Sequence, residues 1–318
     1  MTFTVPVERC LSEEEASTLW RDTDVPEMMP SPIASNAVTS MPVVLTLDGE
    51  PILLLASMHR EARAELRRIL VRFPIVGGTY RGKGIRTRSQ VFGNLAANKV
   101  LQRGSCRPCA AAETHPEIHA RLCNMGILFA SMLREALPDQ YQANLQAISE
   151  VLPEWVLPGG LWTSGVVNLS ASLPYHRDRN NFDAWSVMPV IRRGTRGGYL
   201  HFPELSQGGA PLVLPCDDGD VIFFNGQRFM HGVTPIKTLM TDGYRYSAVY
   251  YPVRKMRSCL PAEAELARAR RTRTESEATL VERQIAAGVL RPDGSPTEKA
   301  ISPRETLKKS MMFDRFGR

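Results

Sequence analysis

What this chain lacks narrows the field first. No apolar run in its 318 residues approaches the ~18 needed to cross a membrane, so no membrane partner is expected. The opening MTFTVPVERCLSEEE has no basic segment followed by an apolar one, so no secretory leader is expected. Six cysteines are too few for a disulfide framework in a chain this long; the expectation is an intracellular, cytoplasmic protein with reduced thiols. Internal repeats and long low-complexity tracts are absent, and 43% hydrophobic with 23% charged residues is ordinary for a globular protein.

Charge is unevenly spread. The formal net charge is +6, yet the segment from Arg60 to Arg107 holds twelve Lys and Arg opposed only by Glu61 and Glu65, a local +10. The other residues therefore sum to −4. Localised positive charge is what a polyanion-binding surface needs, although a solvated helix face followed by a basic loop would give the same count.

Residues 1–80 form a support region, with a Pro-rich stretch (Pro26 to Pro42), the strand signal MPVVLTL and a helix from about Met58 to Val71. Residues 73–110, rich in Gly, Arg and Asn, read as an extended basic loop, its part from 81 to 110 opening a core that runs to 258. A helix is expected over Glu117–Leu137. From about residue 160 the texture changes to LWTSGVVNL, WSVMPVI, GGYLHF, PLVL, GDVIFF and YRYSAVYY, short strands separated by turn residues. Such spacing predicts an antiparallel sandwich or barrel, hence an α+β chain with flanking helices. A charged helix is expected over 259–290 and a flexible tail over 291–318.

Within the strand-rich region, LPYHRDRNNFDAW places His176 and Asp178 at i and i+2, so both side chains leave a strand on one side while Arg177 points elsewhere. His231 follows in NGQRFMHGV, after two further strand signals. Two imidazoles and one carboxylate make the facial triad of non-haem Fe(II) oxygenases, and the third ligand must come from another strand, which accounts for the long gap. Farther on, Arg245 and Ser247 again stand at i and i+2 in YRYSAVYY. A guanidinium grips a carboxylate with two parallel hydrogen bonds and a nearby hydroxyl adds a third, as needed to hold the far end of 2-oxoglutarate. His-x-Asp, a distant His and Arg-x-Ser together form the pattern of Fe(II)/2-oxoglutarate dioxygenases, with dioxygen as the remaining co-substrate.

Cys106-Arg-Pro-Cys109 followed by His115 and His119 has too short a Cys-to-His gap for a zinc finger; unliganded thiols and surface histidines are the expectation. His201 and Trp185 read as packed residues.

HRDRNN resembles the signature of the ten-eleven translocation and J-binding protein group of nucleic-acid-modifying dioxygenases. GGYLHFPEL, FFNGQRFMHGVTPI and YRYSAVYYPV are similar to small stand-alone relatives of that group, so the resemblance spans about residues 160–258. It implies a double-stranded β-helix (jelly-roll) core and a dioxygenase that oxidises the methyl group of 5-methylcytosine or thymine in DNA. It further implies that Asn181 touches a flipped base. No cysteine-rich zinc domain accompanies it here, so phosphate contacts are expected from YRGKGIRTRSQVFG, through Arg81, Arg86 and Arg88. A protein side chain or a small molecule as substrate stays open, because the triad and the Arg-x-Ser pair are common to those enzymes too.

Overall fold

Alternation of side chains along the strands decides the architecture. The computed structural model describes residues 2–20, 23–31, 42–75, 79–81, 85–98, 101 and 103–297. Two compact units result, Met1–Ala97 with Cys106–Pro261, and Asn98–Ser105 with Ala262–Arg318. The larger opens with β1 (Phe3–Arg9), α1 (Glu13–Thr18), β2 (Val43–Leu47), β3 (Glu50–Ser57) and α2 (Arg60–Arg72). Next come β4 (Thr79–Arg81), β5 (Ile85–Thr87), β6 (Ser89–Leu95), β7 (Arg107–Pro108), α3 (Ala110–Thr114), α4 (Pro116–Ala136) and α5 (Pro138–Ala147). The strand-rich half holds β8 (Ser164–Leu169), β9 (Leu173–His176), β10 (Ser186–Arg193), β11 (Thr195–Gly197), β12 (Leu200–Gln207) and β13 (Ala210–Leu214). It closes with β14 (Asp220–Phe224), β15 (His231–Val233), β16 (Ile236–Thr238) and β17 (Tyr244–Tyr251). In the smaller unit α6 (Ala262–Ala286) is a mostly exposed, charged helix carrying an Arg273–Glu277 pair at 2.7 Å.

Thirteen strands pair in the order β7-β6-β8-β17-β10-β14-β3-β2-β1-β12-β15-β9, with β13 beside β12. The turn from one sheet to the other is made by β1, whose Phe3–Val7 lies parallel to β2 while Glu8 and Arg9 pair antiparallel with β12. Two facing sheets, antiparallel except where β1 meets β2, with helices on the outside are the double-stranded β-helix expected from the sequence.

Parity then sorts the apolar residues into two layers. On β14, Ile222 and Phe224 face the space between the sheets with Leu53, Leu55, Met188, Val190 and Phe202. Val221 and Phe223 face the other way, with Leu54, Val187 and Ile191, against Leu66 and Ile69 of α2 and Leu122 and Phe129 of α4. Tyr246, Ala248 and Tyr250 of β17 join this helix-facing layer, so Arg245 and Ser247 must turn toward the space between the sheets. That is the constraint that positions the site.

The strands expected from residue 160 onward lie where the sequence placed them, and so do the helices near 58–71 and 117–137. The basic stretch after residue 73 differs: it contains β6, which pairs in register with β8. Phe92 of β6, Gly165 of β8 and Tyr250 of β17 stand in one cross-strand row, and the Phe92 and Tyr250 rings meet edge-on at 4.7 Å over the glycine. A Cβ on Gly165 would lie 2.1 Å from the Phe92 ring. The expectation of wholly reduced thiols is also corrected. Cys106 forms a disulfide with Cys259, because both pack into a cluster with Trp155, Phe182 and Met256. Cys10, Cys109, Cys123 and Cys216 are free thiols. No described helix is long and apolar enough to cross a membrane.

Filling the Gly165 position is expected to split the aromatic row: Gly165→Val should cost about 1–3 kcal/mol in urea unfolding, the usual penalty of overpacking, with an unchanged m-value.

Candidate metal centre

Pairing of β9 with β15 sets His231 opposite His176, and the two imidazole rings lie 4.4 Å apart. Asp178 follows β9 in a loop fastened by its own N–H to the Gly226 carbonyl at 2.8 Å. Its carboxylate lies 3.9 Å from the Nε2 of each histidine, and ligand atoms of all three residues fall within 4.8 Å of one another. Each Nδ1 sits against a carbonyl two residues earlier, Pro174 at 2.8 Å for His176 and Phe229 at 3.0 Å for His231. A carbonyl can only accept, so Nδ1 carries the proton and Nε2 turns its lone pair toward Asp178. Burial, and then the neighbouring His176, depresses the His231 pKa, which keeps this imidazole neutral as a metal ligand must be. Phe224 and Phe202 pack their rings on His231 at 5.0 and 6.2 Å and fix it from the core side. The donor set therefore fits a divalent transition metal.

Gly226 is required by closeness. A Cβ there would fall 2.6 Å from the Asp178 carboxylate and 3.0 Å from the His231 ring. Next to Asp178 in the chain, Arg177 donates to Glu13 at 2.6 Å and to Glu204, which is completely buried and also accepts the Met230 N–H at 3.2 Å. Glu204 thus ties the loop holding Asp178 to the strand holding His231.

Arg245 is 1% exposed, and its Nε and Nη2 have no hydrogen-bond partner among the described residues. Its Nη1 reaches the Ser247 hydroxyl only at 3.5 Å, and Asn168 of β8, opposite Ser247 in register, donates to that hydroxyl at 3.5 Å while its own Oδ1 has no partner among the described residues. Burial lowers the Arg245 pKa, and the buried Cys216 thiol beside it is the group that opposes the shift. A buried guanidinium with an unspent fork is costly unless a carboxylate completes it. The acidic end of 2-oxoglutarate fits. Asn168 escaped the sequence reading; the register of β8 against β17 is the only sign that singles it out.

Asn181 lies in the turn after Asp178, its N–H donated to the Asp178 carbonyl at 2.9 Å and its own carbonyl held by Arg254. Arg88 is exposed and within electrostatic reach of Tyr246, a residue of the helix-facing layer. The side chains of Arg81 and Arg86 lie outside the described residues, although their backbones pair in the β4–β5 hairpin. Much of the basic charge of α2 is consumed locally, since Arg67 grips Asp218 at 2.6 Å and Arg68 grips Glu65 at 2.8 Å. Among the described residues, Cys106 and Cys109 form no metal-ligating cluster with His115 and His119: Cys106 is in its disulfide, Cys109 is buried, and His119 accepts the Gly93 N–H at 2.9 Å. His201 is a packed residue bonded to the Tyr175 hydroxyl at 2.7 Å, with its pKa pushed down to about 4 by burial. Trp185 is likewise buried.

No family model and no curated protein matches the sequence. Solved structures do. NgTET1 in complex with 5mC DNA superposes with a TM-score of 0.50 at 15% identity, covering 77% of this chain and 89% of that one. This chain has that fold. A 2OG-Fe(II) oxygenase family oxidoreductase from Burkholderia pseudomallei gives 0.40 at 14% identity, covering 63% and 84%. OsALKBH1 gives 0.34 at 17%, covering 64% and 97%.

Gly226→Ala is expected to weaken Co(II) binding by roughly 10–100-fold, the range seen when support around metal ligands is disturbed, while circular dichroism stays unchanged. Titration of the visible Co(II) bands would measure it.

Proposed function

We propose that this protein is an Fe(II)- and 2-oxoglutarate-dependent dioxygenase that hydroxylates the methyl group of a base in DNA, 5-methylcytosine to 5-hydroxymethylcytosine. One observation carries the reading: a His-Asp-His cluster and a buried guanidinium with unspent donors sit in the same two-sheet fold. His176, Asp178 and His231 would hold the iron, and Arg245 with Ser247 would hold the far carboxylate of 2-oxoglutarate. Bound iron, with 2-oxoglutarate and dioxygen, supplies an oxidant able to turn a methyl C–H into C–OH while the oxo acid becomes succinate and carbon dioxide.

The protein's part is to position and to shield. Backbone carbonyls at Pro174 and Phe229 keep both imidazoles in the tautomer that offers Nε2. Phe202 and Phe224 close the core side of His231 to water. DNA as the substrate is supported by the HRDRNN resemblance and by likeness of fold to a protein solved with 5mC DNA. A stacked base must be extruded to reach the metal, and Asn181, in the turn beyond Asp178, is our candidate to touch it. Arg81, Arg86 and Arg88 are candidates for more distant phosphate contacts.

Nucleoside mass spectrometry on methylated DNA incubated with Fe(II), 2-oxoglutarate and air tests the reaction. New 5-hydroxymethylcytosine is expected with wild type and none with Asp178→Ala. 5-Hydroxymethyluracil would instead make thymine the substrate, and succinate without any altered nucleoside would contradict base oxidation. Arg245→Ala should raise the KM for 2-oxoglutarate by roughly tenfold to a hundredfold, the equivalent of ~1.5–3 kcal/mol for a hydrogen-bonded ion pair.

A further inference from the structure

A cavity of about 730 Å³ has five arginines in its lining, Arg9, Arg177, Arg179, Arg228 and Arg254, against the two carboxylates of Glu13 and Glu50. Its place in the chain ties it to the metal centre. Arg177 and Arg179 flank Asp178, and Gln227, Arg228 and Phe229 run from Gly226 toward His231.

Not all five charges are free. Arg177 is spent on Glu13 and Glu204, and Arg228 lies 3.4 Å from Asp183. Arg9, Arg179 and Arg254 are exposed and, among the described residues, have no carboxylate within 4.0 Å. Something else holds each of them. The Arg179 guanidinium stacks on Trp20 at 3.9 Å, and that of Arg9 lies over Phe229 at 5.9 Å. Arg254 donates to the carbonyls of Arg179 at 2.9 Å and Asn181 at 3.2 Å. Aromatic and carbonyl contacts orient a guanidinium without neutralising it, so these cations are preorganised while their charge stays available. The basic face of α2 is the opposite case, with Arg67 and Arg68 closed on carboxylates.

We infer that this arginine-lined cavity beside the metal centre seats the nucleic-acid backbone, with Arg9, Arg179 and Arg254 contacting phosphates next to the base presented to the metal. The inference rests on the proposed function and supplies the surface for its substrate. Phosphodiester oxygens suit planar guanidinium donors, and a row of like charges on a strand suits several of them around one cavity.

The test is fluorescence anisotropy with a short labelled DNA carrying one 5-methylcytosine, over a salt series. Arg9→Glu/Arg179→Glu is compared with Arg72→Glu/Arg134→Glu, which makes the same charge change on exposed helical positions of α2 and α4. The first pair should lose affinity by about tenfold or more and flatten the slope of log Kd against log salt by about 2, one per phosphate contact. The second should stay within about twofold, as expected for charges outside the contact surface. Both should keep wild-type melting temperature and Co(II) affinity, which separates lost contact from misfolding. Equal loss in both pairs would overturn the assignment in favour of general attraction, and full competition by polyglutamate would overturn it in favour of an acidic peptide. Wild type that fails to bind DNA would sink the DNA reading itself. Wild type that binds and oxidises DNA with no effect of Arg9→Glu/Arg179→Glu would sink only the cavity.

Discussion

The antiparallel pairing of β9 with β15 is the contact on which the site depends. It puts His231 across from His176, and a slip of one residue would send one imidazole to the far face of the sheet. Everything near the pair opposes that slip. Two backbone carbonyls fix the rings, Phe202 and Phe224 wedge His231, and Glu204 joins the Asp178 loop to the start of β15. Gly226 leaves room for the carboxylate between them. Metal affinity at such a candidate site would be a property of the sheet as much as of the three side chains.

The fold also maintains an uncompensated charge. Arg245 faces the space between the sheets because Tyr246, Ala248 and Tyr250 take the helix-facing side of β17. Packing of those three against α4, including the Tyr250 hydroxyl on the Leu122 carbonyl at 2.7 Å, holds the guanidinium where its Nε and Nη2 have no hydrogen-bond partner among the described residues. Stability of the outer layer thus supports a group that is unfavourable in the free protein and favourable once a carboxylate arrives.

The residues of the candidate site were legible in the sequence because they stand at short spacings. Arg245 and Ser247 share a strand face by the two-residue period alone, and turn residues marked the strand that carries them; Asp178, expected on the strand with His176, lies instead in the loop just after β9, because its N–H is drawn to the Gly226 carbonyl. What was not legible depends on distant partners. The run PILLLAS fits a buried strand or a helix equally well, and only its pairing with β14 and β2 settles that it is β3. The Cys106–Cys259 link spans 153 residues, and no local pattern announces it. The densest run of basic residues drew attention to 60–107, yet a carboxylate from Asp218 neutralises part of it, while Arg9, Arg179 and Arg254 come from three separate segments. Charge count is local, but charge that remains available is a tertiary property.

On the function proposed above, the histidine–aspartate cluster and Arg245 act together as a site for iron and 2-oxoglutarate. Anaerobic titration of Fe(II)-loaded protein with 2-oxoglutarate, followed by visible absorption, tests it most directly. A chelate charge-transfer band is expected that saturates at one equivalent per chain, is absent from Asp178→Ala, and needs far more 2-oxoglutarate in Arg245→Ala. A wild-type protein that binds Fe(II) but shows no band, or one whose band is indifferent to Arg245, would contradict it.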